Sequence, residues 1–466
     1  MNLFYYLPLC IDIFSNTFKR HTHSFMKKII LLLLLTSASF AQTIKPYGAL
    51  PTADQLKWHK MEYYAFVHFG PNAFTDKEWG DGTEKEEIFN PTQLDCRQWA
   101  RVCKAAGMKG IIITAKHHDG FALYPSKYST HTVRESKWKD GKGDILKELS
   151  AACKEYGLKM GIYISPWDRN HPTYGTPEYN EVYVNMLKEI TTQYGDLFEV
   201  WFDGANGEGP NGKKQVYDFP LFNKTVKTYQ PHALIFSDAG PDIRWVGNEN
   251  GFAGETCWST INGSQLFPAY DKPAHLNVGD ANGTHWIPAE CDVSIRPGWF
   301  YHKNEDDKVK TDKALMNIWN KSVGRGANLL LNLPVDSRGL VHENDEKSLM
   351  AFKKMRDDYF KNNLLVNGTF SKSYADNNYD IKLNKAQTFN CIVIQEDIRY
   401  GQRISEFVVQ VKQDNAWKSI AVATTIGNKR ILYFPTTTAK EIRIAIKGTL
   451  AKPLLSKVEL YNTPQE

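Results

Sequence analysis

The run Leu197-Phe198-Glu199-Val200-Trp201-Phe202-Asp203-Gly204 decides the fold. It is nearly continuous in apolar residues, then stops at an acid and a glycine. Runs of this kind suit parallel strands buried on both faces, whereas half-exposed strands alternate. The same pattern recurs on either side. Tyr64-Ala65-Phe66-Val67-His68-Phe69, Gly110-Ile111-Ile112-Ile113-Thr114 and Lys159-Met160-Gly161-Ile162-Tyr163-Ile164 precede it. Ala233-Leu234-Ile235-Phe236 follows it, and later candidates are 252–257, 291–295 and 327–331.

Helical patterns lie between these runs. Residues 96–106 put Trp99, Val102 and Cys103 on one face before Gly107, 145–156 stops at Gly157, and 179–194 stops at Gly195. Glycine just past a helix supplies the left-handed cap that ends it. Strand–helix repeats over roughly 280 residues predict a (β/α)8 TIM-like barrel. The later part is less regular, so the barrel is expected to be somewhat distorted. A helix over 344–359 closes it. Beyond residue 365, Phe407-Val408-Val409-Gln410-Val411, 420–423 and 442–446 read as short strands between polar turns, a C-terminal all-β sandwich. The expected domains are 42–343 and 344–466.

The N-terminus reads as a targeting segment. Lys27-Lys28 precede the apolar run 29–35, and small residues lead to Ala41, so a secretory signal over 26–41 with cleavage after Ala41 is expected. Residues 1–25 then form an over-extended start. The apolar run is too short to span a bilayer comfortably, so no membrane span is expected in the mature protein, which would be exported to a periplasmic or extracellular space. The six cysteines after Ala41 have no tight CxxC spacing and read as buried free thiols.

The 466 residues carry a net charge of +5 from 57 basic and 52 acidic residues, with no basic run, which argues against nucleic acid as a partner. Aromatic residues make up 13% of the chain. That suits sugar binding, because the C–H face of a pyranose packs on an aromatic ring, though large β-rich proteins share the bias.

In a barrel of this type reactive residues stand at the C-terminal ends of strands. Those ends carry His68, Lys116-His117-His118-Asp119, Ser165-Pro166-Trp167-Asp168, Asp203 and Ser237-Asp238. A single polar strand end could cap a helix, but five in succession point to a shared pocket. Asp203 is the sharpest candidate, a carboxylate after an apolar strand and suited to nucleophilic attack. Gly204, Gly207, Gly209 and Pro210 argue against its being a helix cap. His117 and His118 are adjacent, so in an extended segment they point to opposite sides and are poor ligands for one metal ion. Two imidazoles reaching different hydroxyls of one sugar are a better use. An acid/base partner for Asp203 could be Glu249, Glu255 or Glu290, and spacing does not choose among them.

His68-Phe69-Gly70, Glu78-Trp79, Thr114 to Phe121 (TAKHHDGF) and Val200-Trp201-Phe202-Asp203-Gly204 resemble the successive motifs of glycoside hydrolase family 29, the retaining α-L-fucosidases. The stretch from Gly247 to Thr260 is similar to the subgroup that prefers α-1,3/1,4-linked fucose on branched oligosaccharides. Tyr163-Ile164-Ser165-Pro166-Trp167-Asp168 replaces the Tyr-Tyr-Ser-Gly type of segment found in the less selective subgroup. The β-rich tail is similar to galactose-binding sandwiches. The resemblance implies hydrolysis of terminal α-L-fucose by double displacement, with Asp203 as nucleophile and Glu249 as acid/base, their carboxyl groups about 5–5.5 Å apart. It implies that His68, Glu78, Trp79, His117 and His118 hold the sugar hydroxyls and that Trp201 lines the site. Tyr163, Trp258 and Trp299 are further substrate-binding positions. It implies no metal and no organic cofactor, and a fucosylated oligosaccharide or glycoconjugate as substrate.

Overall fold

In the computed structural model, the described residues are 44–464 apart from 239, 367–368 and 374–376. The expected signal segment lies outside them. Eight parallel strands close into a barrel. They are β1 (Tyr63–Val67), β2 (Gly110–Lys116), β3 (Lys159–Ile164), β4 (Leu197–Trp201), β5 (Leu234–Ser237), β6 (Ile243–Trp245), β9 (Ala289–Ser294) and β10 (Asn328–Asn332). Around the barrel the order is β1-β10-β9-β6-β5-β4-β3-β2, and β1 pairs with both ends of that series. The pair β7 (Thr260–Ile261) and β8 (His285–Trp286) is a separate ribbon inside the connection from β6 to β9.

Period-two alternation sorts side chains between two cores. Tyr64 and Phe66 on β1, Ile112 on β2, Tyr163 on β3, Trp201 on β4 and Leu330 on β10 fill the barrel interior. Their neighbours Tyr63, Ala65, Val67, Ile111, Ile113, Ile162, Val200 and Leu329 pack outward against the helices. Helix α1 (Ala53–His59) sends Trp58 into the interior, where its indole N–H donates to Glu199 at 3.1 Å. A short helix, α2 (Asn72–Thr75), follows β1. Much of the aromatic excess is therefore barrel filling.

Helices α3 (Cys96–Ala105), α4 (Ile145–Tyr156), α5 (Pro177–Gln193) and α6 (Phe219–Tyr229) connect the first five strands. Their termini follow local chemistry. Asp95 and Asp144 accept N-terminal amides of α3 and α4 at 2.8 and 2.9 Å, and Gly157 ends α4 in the left-handed region at φ 63°. The distortion expected downstream is present. Among the described residues no helix joins β5 to β6, and the one α-helix between β6 and β9 is the six-residue α7 (Pro273–Val278). Helices α8 (Asp312–Lys321) and α9 (Glu343–Tyr359) complete the outer layer.

One expected barrel strand is displaced. Residues 252–257 form no strand, and the sixth position belongs to the three-residue β6. The reason lies in where the backbone bonds go: the Ala253 amide donates to the Lys321 carbonyl at the end of α8, and the Cys257 amide donates to the Thr425 hydroxyl. Backbone groups spent there are not available for a ladder.

The C-terminal part is a six-stranded antiparallel sheet: β11 (Thr369–Ser373), β12 (Asn378–Glu396), β13 (Ile404–Gln413), β14 (Ala416–Ala423), β15 (Arg430–Thr449) and β16 (Leu455–Tyr461). Instead of uniformly short strands, β12 and β15 run 19 and 20 residues. A break in their register between Lys382 and Gln387 divides each in two. Tyr379, Ile381 and Leu383 from one half of β12 and Phe389, Ile392 and Ile394 from the other enter one apolar core, so the sheet folds over on itself. Among the described residues no helix is long and apolar enough to cross a membrane. The cysteines Cys96, Cys103, Cys153, Cys257, Cys291 and Cys391 are buried free thiols.

Candidate active site

The strand ends predicted to share a pocket do converge. Asp203 stands two residues beyond β4, on the inward alternation that also carries Glu199 and Trp201. The Tyr163 hydroxyl donates to its Oδ2 at 3.0 Å, the Ala205 amide donates to Oδ1 at 2.8 Å, and His118 Nε2 lies 3.8 Å from Oδ2. The backbone after it is pressed against its neighbours. A Cβ at Gly204 would stand 1.9 Å from Asp238 Oδ2, and one at Gly207 would stand 2.0 Å from the Trp167 ring. Only glycine lets the chain pass there.

Strand β2 delivers the histidine pair through an irregularity. The register shifts between Thr114 and Lys116. Lys116 then points outward, where its ammonium meets Asp168 at 3.3 Å, the Trp167 carbonyl at 3.1 Å and the Tyr179 hydroxyl of α5 at 3.4 Å. His117 turns inward, 5.7 Å from Tyr163 and nearly parallel to it, and 5.6 Å from His68. A bulge beside a reactive site re-aims side chains in this way.

Hydrogen bonds set the imidazole tautomers. Asn332 donates through Nδ2 to Ser294 Oγ and to the Trp299 carbonyl, which leaves its Oδ1 to face His68 Nδ1 at 2.8 Å. His68 Nδ1 is therefore the donor. The Ser165 hydroxyl donates to the Trp167 carbonyl and accepts from His118 Nδ1 at 2.7 Å. Burial drives the pKa of His68 down to about 3, that of His118 to about 4, and that of His117 well below the usual value. The neutral rings of His68 and His118 thus keep Nε2 as an acceptor for a ligand hydroxyl. Among the described residues the buried His117 Nδ1 has no partner.

Across the cleft, the Trp299 indole N–H donates to Glu249 Oε2 at 3.2 Å, and its ring lies 5.2 Å from His68. Burial raises the Glu249 pKa, and the charges of Asp203 and Glu78 add to the effect. Glu78 holds the wall from behind: it accepts the Phe300 amide at 3.3 Å, the Trp299 amide at 2.5 Å and His302 Nε2 at 3.0 Å. Trp79 is 53% exposed, edge-on to His118 and to Trp167, and so offers a free face at the rim. Asp238, beyond β5, is pushed up to about 6 by burial and by the neighbouring Asp203 charge. Its Oδ2 accepts the amide of Ala269, a residue at φ 62°.

The other candidate positions fall elsewhere. Trp201 is a floor residue, stacked on Phe236 at 4.0 Å with its indole N–H given to Glu290 at 3.0 Å. Glu290 is fully buried inside the barrel, bonded also by the Tyr64 hydroxyl. Glu255 is paired with Arg325 and Arg430 at the sandwich. Trp258 is buried two residues ahead of β7, which pairs with β8 near the N-terminal end of β9, away from the cleft. Strand-end reading stops at Leu331 and so misses Asn332, one residue further on. It also misses Trp245, whose indole N–H donates to the buried Asp292 at 2.9 Å. Among the described residues no group of three or more histidine, cysteine or acidic side chains could hold a metal ion.

A carboxylate held by a phenol and an amide, with a second carboxyl group across the cleft whose pKa burial raises, suits acetal chemistry. At the C-terminal mouth of a parallel barrel it defines a glycoside hydrolase. Residues 45–356 match the family model described as alpha-L-fucosidase, and 351–460 match the F5/8 type C domain. Alpha-L-fucosidase 1 of Arabidopsis thaliana is 39% identical over 468 residues, covering 92% of each chain. The crystal structure of a glycoside hydrolase 29 family member from an unknown rumen bacterium superposes with a TM-score of 0.86 at 44% identity, covering 91% of this chain and 79% of that one. A Ruminococcus gnavus family 29 fucosidase, solved in complex with fucose, gives 0.84 at 31% identity, covering 92% and 98%. The chain belongs to the α-L-fucosidases of glycoside hydrolase family 29.

Proposed function

We propose that this α-L-fucosidase is a retaining exo-enzyme that releases terminal α-L-fucose with Asp203 as nucleophile and Glu249 as acid/base. The observation that carries the reading is the pairing of Asp203, fixed by Tyr163 and Ala205, with Glu249, whose pKa is raised and which feels the Asp203 charge. Asp203 attacks C1 of fucose as the glycosidic C1–O bond breaks, and the Glu249 proton passes to the departing oxygen. The resulting glycosyl-enzyme is hydrolysed when Glu249, now a carboxylate, takes a proton from water and the hydroxide oxygen displaces Asp203 from C1. His68 and His118 accept sugar hydroxyls through Nε2, and His117 and Trp79 complete the seat. Trp299 covers one face of the sugar and steadies Glu249.

The substrate is a fucosylated oligosaccharide or glycoconjugate, with fucose in α-1,3/1,4 linkage on a branched core. The Gly247–Thr260 and Tyr163–Asp168 motifs support that preference. Export rests on the Lys27–Ala41 pattern. Asp203→Ala should abolish turnover with the fold intact, and azide should restore it with inverted stereochemistry by filling the vacated side. Full activity of that variant would rule out the mechanism. A Lewis-type trisaccharide, 2′-fucosyllactose and an aryl fucoside, compared side by side, test the linkage: rapid cleavage of 2′-fucosyllactose would exclude the narrower preference.

A further inference from the structure

The loop that carries Glu249 is tied down within a few residues. Asn248 accepts the amides of Asn250 and Phe252 through Oδ1, at 3.1 and 3.4 Å, and donates to the Phe252 carbonyl at 2.9 Å. Asn277 donates to the same carbonyl at 2.9 Å. Ala253 is held through its amide by the Lys321 carbonyl and through its carbonyl by Arg325 at 2.6 Å. Little slack separates Glu249 from the segment that follows.

That segment, 255–259, joins no sheet, and backbone groups of its alternate residues Glu255, Cys257 and Ser259 are taken by side chains of the C-terminal domain. The Glu255 carbonyl accepts from Arg430 Nη1 at 2.7 Å and from the Thr424 hydroxyl at 2.8 Å. The Cys257 amide donates to the Thr425 hydroxyl at 2.8 Å, and its carbonyl accepts from Gln402 Nε2 at 3.0 Å. The Ser259 amide donates to Gln402 Oε1 at 2.7 Å. Alternate residues thus present the donors and acceptors a neighbouring strand would bond, and the sandwich answers them with four side chains. Two arginines close the arrangement at its start. Arg325 from the barrel and Arg430 from β15 share the Glu255 carboxylate, and their backbones form an antiparallel bridge. Thr425 and Arg430 are both buried.

We propose that the sandwich is a positioning element for the proton donor: through Gln402, Thr424, Thr425 and Arg430 it holds residues 255–259 and so sets where Glu249 stands. The proposal rests on Glu249 as acid/base. Its consequence is selective. Misplacing the donor slows reactions whose leaving group needs a proton, and spares those whose leaving group departs as an anion. Fucose itself is held by His68, His117 and His118, which this clamp does not touch.

The test uses the full chain with Thr425→Val, which removes the hydroxyl at nearly constant shape, Thr425→Ser, which retains it, and Arg430→Met. Each is assayed on a fucosyl oligosaccharide and on an activated aryl fucoside, beside Glu249→Gln. Thr425→Val and Arg430→Met should lose about tenfold in kcat/KM on the oligosaccharide and about twofold or less on the aryl substrate. Thr425→Ser should restore the rate, and fucose inhibition should stay unchanged in all three. If Arg430→Met fails to fold, Thr425→Val decides. Equal loss on both substrates, or no loss, with Glu249→Gln still selective, overturns the clamp alone. A Glu249→Gln variant without selectivity overturns the donor assignment and the clamp with it.

Discussion

Two imidazoles at the mouth of the barrel act through a detail no residue count shows, namely which nitrogen keeps its proton. Asn332 and Ser165 accept hydrogen bonds from Nδ1–H of His68 and His118, so both rings face the cleft as acceptors. The same logic makes Trp299 more than a wall. Its indole N–H stabilises the charged form of Glu249 and so opposes the rise that burial causes. A general acid must be protonated, so activity falls as pH rises through its pKa. Trp299→Phe removes the donor while keeping an apolar ring. The alkaline limb of kcat/KM should then move to higher pH by about 0.5 unit, the size expected for one hydrogen bond. A limb that stays in place or moves down would show that the bond does not hold Glu249. At this scale the sequence is informative about Asp203, His68, His117 and His118 because each follows an apolar run. It is silent about Asn332, which orients a histidine 264 positions away along the chain. It misleads on Trp258, whose place depends on the path of a long connection.

At the scale of elements, the first five strands are legible because each is a run of apolar residues followed by an amphipathic helix. Strand β6 is not: three residues, Ile243–Trp245, carry no period, while the more apolar stretch after it spends its backbone bonds on α8 and the sandwich. The bulge in β2 is equally hidden, since Thr114-Ala115-Lys116 reads as a continuous strand. The turn after β4 is readable through its glycines. Gly204 lies against Asp238 with no room for a methyl group, and Asp238 in turn anchors the Ala269 amide. Gly204→Ala should therefore shift the backbone one residue from Asp203, the proposed nucleophile. A displacement near 1 Å costs on the order of 100-fold in rate, so a loss of about that size in kcat/KM is expected, with fucose binding weakened less. The double variant Gly204→Ala/Asp238→Ala should recover part of the loss by vacating the space. If the single variant keeps full activity, the contact does not pin Asp203.

At the scale of the whole molecule, the barrel interior is unusual in burying carboxyl groups beneath the cleft. Glu199 and Glu290 share the space under Trp201, bonded by Trp58, Tyr64 and Trp201, and Asp292 lies under Trp245. Burial raises all three, Glu290 to about 7. In the unfolded chain a glutamic acid titrates near 4.5. Between those values the folded protein keeps a proton that the unfolded chain has released, so this group's contribution to stability falls as pH rises. The buried neutral histidines work in the opposite sense. His59 and His68, with pKa values near 3, and His118, near 4, sit below the unfolded value of 6.5, so they favour folding as pH rises to that point and cease to contribute to the slope above it. The two sets overlap from about pH 4.5 to 6.5, and the wild-type profile alone cannot separate them. Glu290→Gln removes one titration and leaves the histidines in place. The stability of wild type relative to Glu290→Gln should drop by up to about 3 kcal/mol between pH 4.5 and 7 and then level off, at up to ~1.4 kcal/mol per unit. Denaturant unfolding of the two proteins at matched pH measures it. A difference that stays constant across that range would mean that Glu290 is ionised inside the barrel, and that Trp201, two residues before Asp203, rests on a charge.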